Sequence, residues 1–162
     1  MSWSDRRGVL LSLAALAGCG FTPAYAPGGP GAALNNQVVV RPPEGFYEFD
    51  LGQHLENRLG PPAVAVYGLA FTLQTDSERV AITEEQDTNR FNIVGTASYR
   101  LYNLAGDQTV TRGSVSSFTS YSATGTTVAT NAAERDAYRR LMVILGDKII
   151  LRLIAALDDT PA

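Results

Sequence analysis

The sequence predicts an α+β fold: a two-layer sandwich in which a four-stranded, mostly antiparallel sheet carries two helices packed on one face (β-α-β-β-β-α). Two patterns carry that expectation. Across Tyr67–Leu73 and Ile93–Tyr102 apolar and small polar residues alternate, the period of a half-buried strand. Further on, Ala137, Leu141, Leu145, Ile149 and Leu153 recur every fourth position, the stripe of an amphipathic helix. A sheet and two helices that are each apolar on one side satisfy one another by stacking, which leaves the far face of the sheet uncovered.

The chain opens with Arg6 and Arg7 followed by an apolar run from Val9 to Ala17. That run is too short to cross a bilayer, which takes about 20 residues, but it suits a secretory signal peptide, read here as residues 1–18. Leu16-Ala17-Gly18-Cys19 then sets small residues directly before the single cysteine of the chain. This tetrapeptide resembles the lipobox of bacterial lipoproteins, whose cysteine receives a diacylglycerol and becomes the mature N-terminus. Cys19 is therefore the expected lipidation site and membrane anchor, since several acyl chains together hold stably where one does not. Gly20 stands where lipoproteins kept in the inner membrane typically carry Asp, so the resemblance points to the outer membrane, periplasmic face. With its only thiol acylated the chain forms no disulfide, and its stability must come from packing.

Residues 19–36 are rich in Pro and Gly and read as a flexible tether with a span of about 25 Å. A single domain is expected over 37–158, with a short tail at 159–162. Its first strand is Gln37–Arg41, β-branched and stopped by Pro42-Pro43. Asp50 reads as an N-cap with Gln53 three residues on, opening a helix that runs from about Leu51 to Leu59, or earlier from Phe46, and ends at Gly60-Pro61. Tyr67–Leu73 begins the second strand, which resumes at Arg79–Ile82 after an irregularity at Asp76-Ser77. A polar turn over 84–89 leads to the third strand, 93–102. A loop at 103–107 leads to the fourth, 108–121, where Gly113 suggests a bulge because the apolar phase changes between Val110 and Val115. The helix from about Thr127 to Leu157 closes the fold, with Gly146 as its weak point and an Asp136–Arg140 pair on its surface.

Several function classes are excluded or disfavoured by composition. The formal net charge is −3, so a nucleic-acid partner is not expected. His54 is the only histidine, which leaves no His-based metal cluster or triad, and no metal or cofactor is expected. Its place beside Leu55 suits a structural role. Glu84, Glu85 and Asp87 form a charge run on a turn, more simply read as solvated than as an acid–base pair. Gly28-Gly29-Pro30-Gly31 follows no strand and precedes no lysine, so it is not a phosphate loop. An enzyme is not expected.

Taken together, the lipobox with Cys19-Gly20-Phe21-Thr22-Pro23-Ala24-Tyr25, the helix end Arg58-Leu59, the strand Tyr67-Gly68-Leu69-Ala70-Phe71, the segment Ala97-Ser98-Tyr99-Arg100-Leu101, the hairpin to Arg112-Gly113, the strand end Ser120-Tyr121 and the long last helix resemble the LptE family of lipopolysaccharide-assembly lipoproteins. The resemblance implies a non-enzymatic outer-membrane lipoprotein that plugs the β-barrel protein LptD, assists its assembly and helps lipopolysaccharide reach the outer leaflet. An auxiliary lipoprotein subunit of another envelope transporter, or a secretin pilot, is the alternative. Lipopolysaccharide carries phosphates, and arginine binds phosphate bidentately, so Arg90, Arg100 and Arg112, in or beside the central hairpin, are candidate ligand-binding residues. With a three-residue loop over 105–107, Arg100 and Arg112 stand opposite each other on one face, where like charges repel and an anion would relieve them. With a two-residue loop they point to opposite faces.

Overall fold

In the computed structural model, which describes residues 29–82, 88–123 and 125–158, the four strands lie side by side in chain order. The signal peptide, Cys19, the carboxylates Glu84, Glu85 and Asp87, and the tail 159–162 fall outside the described residues. Strand β1 (Val38–Val40) pairs in parallel with β2 (Tyr67–Ile82), its chain returning through helix α2 (Phe46–Leu59). β3 (Thr88–Asn103) and β4 (Thr109–Ser122) follow as an antiparallel meander, and α3 (Thr127–Asp158) packs back across them. The expected architecture is the one observed, with one short addition, helix α1 (Pro30–Leu34).

That addition corrects the reading of residues 19–36 as tether throughout. Proline is favoured at the first helical position, where no donor is missed, and Pro30 occupies the start of α1. Leu34 then buries itself, at 1% exposure, and anchors the turn to the core. Helix α2 takes the earlier of its two expected starts, at Phe46 and not after Asp50. Its N-cap is Gly45, which has no side chain to cap with, and the Glu48 carboxylate reaches back past it to accept from the Glu44 backbone N–H at 3.1 Å, fixing the approach to the helix. Asp50 sits within the helix and caps nothing.

The core forms on one face of the sheet. Ile93, Ala97 and Leu101 of β3, Leu69 of β2, Leu51 and Leu55 of α2, and Leu141, Leu145, Ile149 and Leu153 of α3 are all fully buried. At Gly146 the helix α3 runs on without interruption, and the missing side chain makes room for Leu51 and His54 of α2. His54 Nε2 meets Asp147 Oδ1 at 3.0 Å, joining the two helices, and the Asp136–Arg140 pair closes at 2.9 Å.

Two irregularities lie elsewhere than the sequence indicates. Register is continuous through Asp76 and Ser77, and the shifts in β2 occur between Arg79 and Ile82. Gly113 is no bulge. It pairs directly with Tyr99, whose hydroxyl occupies the space a Cβ would need. The extra residue is Val110, since Tyr102 faces Thr109 while Leu101 faces Thr111. This bulge accounts for the change of apolar phase between Val110 and Val115.

Both long edges of the sheet carry charged side chains on their main-chain groups. Beyond the reach of β1, the Leu73 N–H of β2 donates to Glu48 Oε1 at 3.3 Å and the Ser77 N–H to Asp76 Oδ1 at 2.9 Å. On β4, the Ser116 carbonyl accepts from Lys148 Nζ at 2.7 Å and the Ser120 carbonyl from Arg140 Nη2 at 3.3 Å.

Candidate functional site

The face of the sheet turned away from the helices is built by the even-numbered residues of the three long strands. Pairing sets them in rows: Thr72, Ser98 and Ser114 in one, Gln74, Thr96 and Ser116 in the next. Apart from Gln74 these side chains are short and hydroxylated, so this part of the surface is flat and rich in hydrogen-bonding groups, and the next row, Asp76, Val94 and the exposed Phe118, ends it. Thr96, Ser98, Arg100 and Tyr102 of β3 all lie on this uncovered face.

One end of the face is positive. Ala70, Arg100 and Arg112 are direct register partners across β2, β3 and β4. The sequence left open whether Arg100 and Arg112 share a face, and the register settles that they do. Arg41 continues β1, and its N–H donates to the Leu69 carbonyl at 2.8 Å, which brings it beside Ala70. Three arginines from three strands thus cross the sheet in one row, with only a methyl group between the first two. They line an open cavity of about 710 Å³ whose other walls include Pro42, Pro43, Ser98 and Ser114, with the acidic Glu44 and Glu48 at its rim, so three cations stand against two carboxylates.

The three are not equivalent. Arg100 is braced: its Nε donates to Thr109 Oγ1 at 2.8 Å, its Nη2 to the Asp107 carbonyl at 2.7 Å and to Asp107 Oδ1 at 3.1 Å, and its guanidinium lies 4.9 Å from the Tyr102 ring centre. Arg112 and Arg41 are exposed, and neither side chain has a hydrogen bond or ion pair among the described residues. Arg90 does not join them. It pairs with Ala81 and Ser122 at the opposite end of β3, ten residues and about 34 Å from Arg100. Arg41 was missed by sequence reasoning. Its alternation with Val39 shows which face it takes, but its row depends on the parallel register of β1 against β2, which no local pattern encodes. Among the described residues no group of three or more His, Cys, Asp or Glu stands together to hold a metal.

On the helix side, Tyr47 of α2 stacks on Tyr138 of α3 with ring centres 3.8 Å apart, and Phe91 stacks on Tyr121 at 5.3 Å. Burial, foremost, pushes the phenols of Tyr47, Tyr99, Tyr121 and Tyr138 above their ordinary value of 10.0. Between that value and the raised one, the unfolded chain has released protons that the folded chain still holds, so stability falls as pH rises. The thermal midpoint is therefore expected to hold up to about pH 10 and to decline above it. Substituting Tyr138 by Phe should soften that decline. A midpoint titration followed alongside tyrosinate absorbance checks it, and a fall unrelated to tyrosinate formation would remove the explanation.

The family model described as LptE: Lipopolysaccharide-assembly matches residues 35–153, from the approach to β1 through most of α3. The chain belongs to the LptE family. That family is one of non-catalytic lipoproteins of lipopolysaccharide assembly. Among solved structures, a Caulobacter crescentus CB15 protein described as a lipoprotein superposes with a TM-score of 0.68 at 20% identity, over 82% of this chain and 98% of its own. Lipoprotein B from Nitrosomonas europaea gives 0.58 at 13% identity, over 76% and 84%. The rare lipoprotein B from Shewanella oneidensis gives 0.56 at 11%, over 75% and 94%. At these identities the likeness is one of fold, and the LptE fold is what they share with this chain. No curated protein sequence matches the chain.

Proposed function

We propose that this LptE-family chain is an outer-membrane lipoprotein, anchored through diacylated Cys19, that seats in the β-barrel protein LptD as a plug. There it assists assembly of the barrel and the passage of lipopolysaccharide to the outer leaflet. The observation that carries the reading is the family match, which takes in nearly the whole folded domain. The flat, hydroxyl-rich sheet face is compatible with it, since such a surface can lie against another wall of polar side chains while satisfying its hydrogen bonds. Among the described residues no helix is long and apolar enough to cross a membrane, so in this reading the Cys19 lipid carries the attachment.

A detergent pull-down of the full-length lipoprotein from its native envelope tests the partnership. A single large β-barrel protein at near one-to-one ratio is the expected result. Recovery of inner-membrane transporter subunits alone would instead favour an auxiliary lipoprotein of another envelope transporter.

The arginine row is the proposed contact for lipopolysaccharide phosphates, with Arg41 and Arg112 as the free cations and Arg100 as a positioned one; Arg90, at the far end, is dropped from the site. A hydrogen bond to a charged group contributes about 1.5–3 kcal/mol, so Arg41→Glu with Arg112→Glu should weaken lipopolysaccharide binding by roughly tenfold or more. The thermal midpoint should not fall, because neither side chain supports the fold. Unchanged binding would remove the row from the function.

A further inference from the structure

Helix α2 buries Leu51, Leu55 and Leu59 and turns Phe46 and Phe49 the other way, 76% and 57% exposed. These two aromatics stand one turn apart on the solvent side of the helix, followed there by Gln53 and Glu56. Phe46 is not loose. Its ring meets Tyr47 edge-on with centres 5.4 Å apart, and Tyr47 is itself stacked on Tyr138 of α3. The patch is thus held by the core before anything docks on it, which lowers the ordering cost of binding. Isolated exposed apolar residues are ordinary, but two neighbouring aromatics, one of them braced by the core, have the character of an interface anchor.

The charge around the pair says what covers it. Glu44 is exposed at one side of Phe46, Asp50 follows Phe49 and Glu134 of α3 faces Tyr47, against Arg135 on that side and Arg41 beyond Pro42-Pro43, so acids outnumber cations around the pair. Neither Glu44 nor Asp50 is in an ion pair among the described residues. An anionic lipid surface would be repelled by this rim, and so would a second copy presenting the same one. We infer that Phe46 and Phe49 are docking anchors for a protein partner that offers an apolar cleft bordered by Lys or Arg.

The test places a photoreactive benzophenone side chain at Phe46 of the full-length protein in its native envelope, with the adduct mapped after irradiation. The expected product joins position 46 to one partner protein, within a peptide whose apolar residues are flanked by Lys or Arg. Its yield should drop about tenfold or more when Glu44→Lys and Asp50→Lys are introduced, since like charges would then face each other. An adduct with phospholipid, with a second copy of this chain or with a peptide lacking such cations, a yield indifferent to charge reversal, or no adduct at all overturns the inference. The surface and the barrel reading fail separately. A qualifying adduct on a protein other than the barrel keeps the docking surface and removes the plug; a co-purifying barrel with position 46 unlabelled does the reverse.

Discussion

Leu145→Ala is expected to destabilise the fold by about 2–5 kcal/mol, because the side chain is fully buried where α3 crosses the sheet and its loss leaves a cavity. The neighbours have little freedom to fill that cavity. Leu141 and Ile149, one turn away on either side, are at 0% exposure as well. Domains of this kind are stable by only about 5–15 kcal/mol, so the change removes a large share of the total. The thermal midpoint should drop by roughly 10 °C. Leu151→Ala is the control: it lies on the same helix at 66% exposure and should stay within about 0.5 kcal/mol of the parent. Urea unfolding of both variants decides the matter. Equal midpoints would mean that the apolar stripe of α3 does not organise the core.

Gly95→Val should cost about 1–3 kcal/mol by the opposite mechanism, overpacking. A Cβ at Gly95 would come within 2.9 Å of Leu141 Cδ2 and 3.1 Å of Leu145 Cδ1, and neither leucine has an open side to move toward. The helix must therefore lift from β3, loosening contacts along its length. Since the conflict is with one leucine above all, combining Gly95→Val with Leu141→Ala should be less harmful than the two separate effects added together. Thermal or urea unfolding of the two single variants and the double variant measures this coupling directly. Strict additivity would show that the strain lies elsewhere.

Much of this architecture can be read from the chain because its periodicities are strong. All five residues of the four-residue repeat in α3 are fully buried, and β3 alternates cleanly because it is the strand with helices above it and neighbours on both sides. What escaped depended on partners distant in sequence. Of the two starts the sequence allows for α2, Phe46 is the one taken, and Asp50 merely has the composition of a cap. The bulge at Val110 left its trace in the apolar phase, whereas the glycine at 113 answers to the Tyr99 hydroxyl across the strand pair. Pro30 looked like a breaker because the burial of Leu34 against the core is a tertiary effect. At the candidate site, the facing of Arg100 and Arg112 hinged on a loop length that sequence could not choose. Arg41 joined them only through β1, whose partner strand lies 29 positions along the chain.

The carboxylates and cations laid along the sheet edges have a consequence for the life of the protein among other strands. An unprotected strand edge is a template on which any extended segment can crystallise, from a sister molecule to a half-made barrel. Here Glu48 and Asp76 occupy donors on one side, while Lys148 and Arg140 occupy acceptors on the other. A newcomer would have to strip those charges from their bonds before gaining its own. At these four positions the sheet resists being extended by one more strand.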